Sequence, residues 1–197
     1  MPRWPWFALA ALILAWWMSP PMARHREPGV LVAEAPLQQP IEEAPRLVKP
    51  GVTIKPLAKF ALSARVLGRA DYRWDFGADL IPTDLALGWG RMSDSAVLDK
   101  VSIWQSGRFY YWRVSSFPIP EREIIESSAN MHLIPSTRAV ERAIERSRIG
   151  DVVRMDGYLV EADWPDGRKW ISSLTRSDTG TGSCELVWVE NFEIAPP

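Results

Sequence analysis

At 197 residues, with 47% hydrophobic and 24% charged side chains, the chain has the make-up of one ordinary globular domain with room for an appendage. The formal net charge is −1, and residues 1–58 hold six Lys/Arg against four Asp/Glu, so the remainder is mildly acidic and offers no basic field for a nucleic acid. A single cysteine excludes an intrachain disulfide, and two histidines, one of them His25 in a flanking tail, leave no Cys/His set with zinc spacing; no cofactor is implied.

Residues 4–18, WPWFALAALILAWWM, are apolar throughout, with Trp4 and Trp6 at one end and Trp16 and Trp17 at the other. Aromatic residues at both ends of an apolar run match the interfacial belts of a transmembrane helix. The best small-residue cleavage point, after Ala23, carries Pro21 at −3, which favours a retained anchor over a removed signal. Arg3 on one side and Arg24 and Arg26 on the other nearly balance. Orientation with the N-terminus inside and the body outside is then read from the anchor-and-spacer layout. Pro28, Pro36, Pro40, Pro45, Pro50 and Pro56 mark residues 24–57 as an extended or disordered linker. The boundaries are 1–23 for the anchor with its flanks, 24–57 for the linker and 58–197 for a β-rich body.

Phe60, Leu62, Ala64 and Val66 alternate with Ala61, Ser63 and Arg65, the period of a half-buried strand. Residues 71–94 show no sustained period but hold Trp74, Phe76 and Trp89, so an ordered irregular loop is expected, followed by a short helix over 93–100. Residues 101–105 and 108–114, separated by Ser106-Gly107, predict a tight hairpin. A helical turn is expected near 118–128, then an irregular SSANMHLIP segment over 127–135. Ser136 caps a predicted helix over 136–148 that Gly150 ends. Residues 151–163 read as a strand with a bulge at Gly157, Pro165-Asp166-Gly167 as a turn, and 169–174 and 185–194 as strands. The fold class is mainly β (α+β): a small, partly open barrel or bent antiparallel sheet, an OB-like barrel being one candidate, with one inserted helix and an N-terminal transmembrane helix.

The stretches ADLIPTDLALGWGRMSD, QSGRFYYW, SSANMHLIP and SSLTRSDTGTGSCELVWVE together resemble an uncharacterised bacterial family of short, membrane-anchored proteins. The likeness covers roughly residues 58–192. It implies one anchored module and no particular chemistry.

Four constellations are candidates for function. Cys184 as a thiolate with His132 as its base, and Asn130 or Asp178 orienting the imidazole, would make a hydrolase or transferase. Glu185 and the apolar run after it argue against this, because acidic and apolar neighbours raise a thiol pKa. His132, between Met131 and Leu133, is expected to be satisfied by a backbone carbonyl instead. The triplet Asp178-Thr179-Gly180 lacks both a preceding apolar strand and a second triplet, so an Asx-type turn is expected rather than an aspartic protease site. Asp71, Asp75, Asp79 and Asp84, four or five residues apart, offer carboxylates for glycosidic acid/base work or a cation, but the stretch lacks the glycine placement and terminal Glu of a calcium loop, so they are expected to be solvated or paired with Arg73 and Arg91. The fourth is a binding surface: Trp74, Trp89, Trp104, Tyr110, Tyr111, Trp112 and Trp170 as stacking faces, with Arg91, Arg108 and Arg176 as planar donors. Loops 71–94, 105–108, 127–135 and 172–184 form its candidate face.

The leading reading is a single-pass bacterial inner-membrane protein whose periplasmic body is a binding or accessory module for a protein, peptide or glycan, and not an enzyme. The alternatives are an envelope hydrolase or transferase using Cys184 and His132, and a cytoplasmic-facing membrane scaffold.

Overall fold

A computed structural model describes residues 23–178, 180 and 182–196. The proposed membrane anchor lies outside these residues; among them no helix is long and apolar enough to cross a membrane.

The organising element is β3 (Val52–Asp71), 20 residues long. One edge pairs antiparallel with β8 (Val152–Asp163), from Thr53 opposite Asp163 to Arg65 opposite Val152. The other edge takes β1 (Leu37–Gln39), β2 (Leu47–Lys49) and, near its end, β4 (Thr83–Gly88). Register shifts between Pro56 and Ala58 and between Val66 and Gly68 bend the strand, and the first lets Pro56 sit beside a bulge where a proline is tolerated. From β4 the sheet continues through β7 (Ser128–Pro135) and β10 (Glu185–Ile194) back to β8 and β9 (Lys169–Ile171). The protein is therefore mainly β, with a bent sheet that is partly ring-like and not a closed barrel. It is not purely antiparallel. β7 and β10 run parallel, Glu185 opposite Met131, because α3 (Arg138–Glu145), β8 and β9 intervene between them and supply the crossover a parallel pair needs.

The concave side encloses Phe60, Leu62, Val66, Leu87, Met131, Leu133, Met155 and Val189, with Val140 and Ile144 of α3 packed on them. Each such side chain contributes about 1.5–3 kcal/mol by leaving water. Thr137, rather than Ser136, caps α3: its Oγ1 accepts from Val140 N at 3.2 Å.

Besides the inserted helix the structure has α1 (Ser95–Leu98) and α2 (Glu121–Glu126), within the stretches where a short helix and a helical turn were expected. It also has two strands in segments expected to be irregular. β4 is buried at all six positions and β7 at all but Ala129. A strand covered on both faces has no reason to alternate, so its period is invisible in the sequence. The hairpin is as expected: β5 (Val101–Ser106) pairs with β6 (Phe109–Val114) around Gly107-Arg108. Both tip residues have positive φ, 58° and 71°, the signature of a type I′ turn. The bulge expected at Gly157 falls on the facing strand, between Val189 and Asn191. Gly157 is required there because, at φ 154°, a Cβ would stand 1.9 Å from Trp188 O.

Within residues 24–57, β1 and β2 pair with β3, which itself begins at Val52, and residues 23–32 lie against the body. Arg24 N donates to Ile149 O at 2.7 Å, Arg26 Nε to Gly150 O at 3.0 Å and Val32 N to Ser93 Oγ at 3.1 Å, and Val32 is buried.

Candidate functional site

The convex face of β4 and β7 carries a row of polar side chains that would be costly to bury unpaired. The register places Asp84 directly opposite His132, and Ala86 opposite Asn130. Asp84 is fully buried and His132 is 1% exposed. His132 Nδ1 lies 2.9 Å from Asp84 Oδ1, so a carboxylate, not the expected backbone carbonyl, faces the imidazole, without hydrogen-bond alignment. Trp170 meets the imidazole edge-on, with centroids 4.5 Å apart.

Arg108, at the hairpin tip, joins this pair. Its Nη1 donates to the same Asp84 Oδ1 and to Ile81 O, both at 3.0 Å, and its Nε and Nη2 grip Asp75 at 2.6 and 2.9 Å. The guanidinium lies 3.5 Å from the Tyr72 ring centroid. Burial, and then the Asp84 charge, push the Tyr72 hydroxyl up to about 12. Asn130 Nδ2 donates to Arg108 O at 3.1 Å and Gln105 Nε2 to Asn130 Oδ1 at 2.7 Å. The hairpin is thus pinned to β4 and β7 through polar groups, with Leu67, Ala86, Met92 and Ile124 among the apolar residues beneath it.

Between the pinned hairpin and the loop before β10 lies a cleft of about 260 Å³. Phe109, Tyr110, Tyr111 and Trp112 of β6 line one side, Tyr110 and Trp112 on the strand face packed against the core, and Asn130, Asp178, Cys184, Arg176 and Glu185 line the polar side. Glu185 is 1% exposed and forms an ion pair with Arg176. Burial pushes its carboxyl up to about 8, opposed by the Arg176 charge. The contact is a close pairing of charges without hydrogen-bond alignment. Among the described residues Glu185 Oε2 and both terminal nitrogens of Arg176 have no hydrogen-bond partner. The loop itself is braced by Ser173 Oγ, which donates to Asp178 Oδ2 at 2.6 Å.

Three of the four candidate catalytic residues, Asn130, Asp178 and Cys184, therefore line one cleft. His132 is not among its lining residues and is paired with Asp84. The half-buried Cys184 thiol is pushed up to about 12, first by burial and then by the Glu185 charge. Of the candidate binding residues, Arg176 lines the cleft and Arg108 holds the scaffold behind it. Trp89 is 3% exposed in the main core, and Arg91 pairs with Glu123 on α2, Nε to Oε1 at 2.6 Å. Asp71 pairs with Arg69, and Asp75 and Asp84 with Arg108, so these acids are paired, but not with Arg73 or Arg91. Thr179 of the Asp178 triplet lies outside the described residues. Among the described residues no group of three His, Cys, Asp or Glu side chains is placed to hold a metal.

Sequence reasoning missed Glu185 and Phe109 as parts of the site. The signal for Glu185 was an acid at the head of an apolar run, Glu185-Leu186-Val187-Trp188-Val189, where burial of the run carries the carboxylate in with it.

Comparison with family models matched none, and neither a curated protein nor a solved structure matched the chain. The fold and the site together define a small β-rich module with a partly aromatic, partly charged cleft.

Proposed function

We propose that this chain is a membrane-tethered, extracytoplasmic binding module whose ligand seat is the cleft between the hairpin and residues 175–178, 180 and 183–185. The observation that carries the reading is the cleft's floor. A buried Arg–Glu pair with unpartnered polar atoms is an expensive way to fill space, since apolar side chains of similar volume do so at no desolvation cost. Aromatic residues opposite that floor supply contact area at low entropic cost.

The OB-like reading of the fold supports the same face. The order β3-β4-β7-β10-β8, the additional β3–β8 pairing, the parallel β7–β10 pair and α3 between β7 and β8 parallel a five-stranded OB barrel. In such barrels the second and third strands and the adjoining loops take ligands; here those strands are β4 and β7. The mildly acidic body argues against nucleic acid as that ligand. The tether and the outside location rest on the apolar, tryptophan-flanked run at residues 4–18, and membership of a membrane-anchored bacterial family rests on the motifs alone.

Complementation of a deletion strain tests the seat. Tyr111→Ala and Arg176→Met, at normal protein levels, are expected to lose the phenotype, while Cys184→Ala keeps it. The opposite pattern, loss with Cys184→Ala and His132→Ala alone, returns the hydrolase or transferase reading. A periplasmic reporter fused after Pro197 is expected to be active; activity of a cytoplasmic reporter there instead favours the cytoplasmic scaffold.

A further inference from the structure

We infer that the corner of the body where the chain enters it, from Arg142 to Ile149, lies against an anionic lipid surface. The inference rests on the tether in the proposed function and is independent of the cleft. The apolar run ends at Met18, and the strap docked on the body begins beyond Ala23. The five residues between, 19–23, reach at most about 18 Å, so the entry point stays close to the bilayer. The strap then denies the body a longer tether. Arg24 N donates to Ile149 O at 2.7 Å, and Arg24 Nε stands 2.5 Å from Oδ1 of the fully buried Asp151. Ser95 Oγ donates to Arg26 O at 2.6 Å, Gly29 N to Asp94 Oδ1 at 2.8 Å, and Leu31 N and Val32 N to Ser93 Oγ at 3.1 Å. Gly150 lets the strap approach this closely: at φ 89°, a Cβ there would stand 2.1 Å from Arg24 O. These contacts must break together before the body can swing away.

The corner beside Arg24 has the chemistry of a headgroup contact. Residues 142–149 present Arg142, Arg146 and Arg148 against one acid, Glu145, and all four are exposed. Ile149, the residue bonded to the strap, is 44% exposed among them. Cations beside a membrane-spanning run are drawn to anionic lipid, and an apolar side chain in their midst enters the headgroup layer. The corner is also held rigidly. Arg69 Nη1 donates to the carbonyls of Ile144, Glu145 and Ser147, which fixes the end of α3 on β3. β8 leads away from this corner, and the turn at Asp166 follows its far end, about 35 Å along the strand.

The test places a fluorescent label on the full-length protein in bilayer nanodiscs whose lipids carry nitroxide headgroups. Ile149→Cys and Asp166→Cys, each in a Cys184→Ala background, give the two labelling positions. In discs of phosphatidylcholine with phosphatidylglycerol, the label at 149 is expected to lose more than about half its emission and the label at 166 almost none. Discs of phosphatidylcholine alone, or the added substitutions Arg142→Gln, Arg146→Gln and Arg148→Gln, are expected to cut that loss at least about twofold. The lipid comparison changes nothing in the chain, so it decides the matter if the triple variant misfolds. Equal quenching at 149 and 166 overturns the contact and leaves the tether standing. Quenching at 149 that ignores both lipid charge and the three arginines overturns the anionic surface as the partner. Protein that stays out of the discs and fails to float with vesicles overturns the tether as well.

Discussion

Replacing Asp84 by Asn probes the buried network that holds the hairpin over the cleft. Asp84 is fully buried, and its Oδ1 accepts from Arg108 Nη1 at 3.0 Å and stands 2.9 Å from His132 Nδ1 without hydrogen-bond alignment. Asparagine keeps the volume and one carbonyl oxygen but removes the charge. The Arg108 hydrogen bond loses its anionic acceptor and weakens by about 1–1.5 kcal/mol. Arg108 keeps its two bonds to Asp75, so its own charge is not stranded. The expected loss is about 1–1.5 kcal/mol. Asp84→Leu removes the acceptor as well and should cost about 3–5 kcal/mol, the range for breaking a buried pair from one side. Urea unfolding followed by tryptophan fluorescence measures both, with equal slopes showing that the same surface is exposed. A loss below about 0.5 kcal/mol for Asp84→Asn, or an Asp84→Leu variant no worse than it, refutes the network as the hairpin's anchor.

Cys184, with its thiol pushed up to about 12, should react with iodoacetamide at pH 8 at least about a hundredfold more slowly in the folded protein than in urea; comparable rates contradict its shielding. Glu185 gives a pH dependence of defined sign. Its folded pKa, about 8, lies above the unfolded value, so between roughly 4.5 and 8 the folded state holds a proton that the unfolded state has lost. Stability from this group is therefore full at low pH and falls as pH rises, by at most about 1.4 kcal/mol per unit. Glu185→Gln should flatten that fall, and unfolding curves at pH 5 and pH 8 for both proteins check it; parallel pH profiles count against a strained carboxyl beside Arg176, Asp178 and Cys184. Gly157→Ala should cost more than about 2 kcal/mol by thermal melting, since its Cβ collides with Trp188 O; a near-neutral variant contradicts the close β8–β10 approach.

The sequence was legible where one face of an element meets water. The β5–β6 hairpin, β8 and α3 each carry a turn, a pattern or a cap that local chemistry explains. It was illegible where both faces are covered: Thr83–Gly88 and Ser128–Pro135 read as irregular because Asp84 and His132 interrupt apolar stretches. Those same interruptions are the polar row behind the cleft. Asn130, Asp178, Cys184 and Arg176 were found as candidates by residue type, and they do share a cleft. The partners that set their chemistry were not found. Asp84 takes His132 and Glu185 takes Arg176, pairings 48 and 9 residues apart along the chain that only the fold determines.

The central claim is that the Arg176–Glu185 floor exists for a ligand rather than for stability. The double variant Arg176→Met/Glu185→Leu tests it most directly, because replacing a buried ion pair by apolar residues of similar size is often neutral or stabilising by about 1–4 kcal/mol. The account predicts a protein that melts at or above the parent temperature yet fails to complement the deletion strain. Full complementation, or a variant destabilised by several kcal/mol, contradicts it.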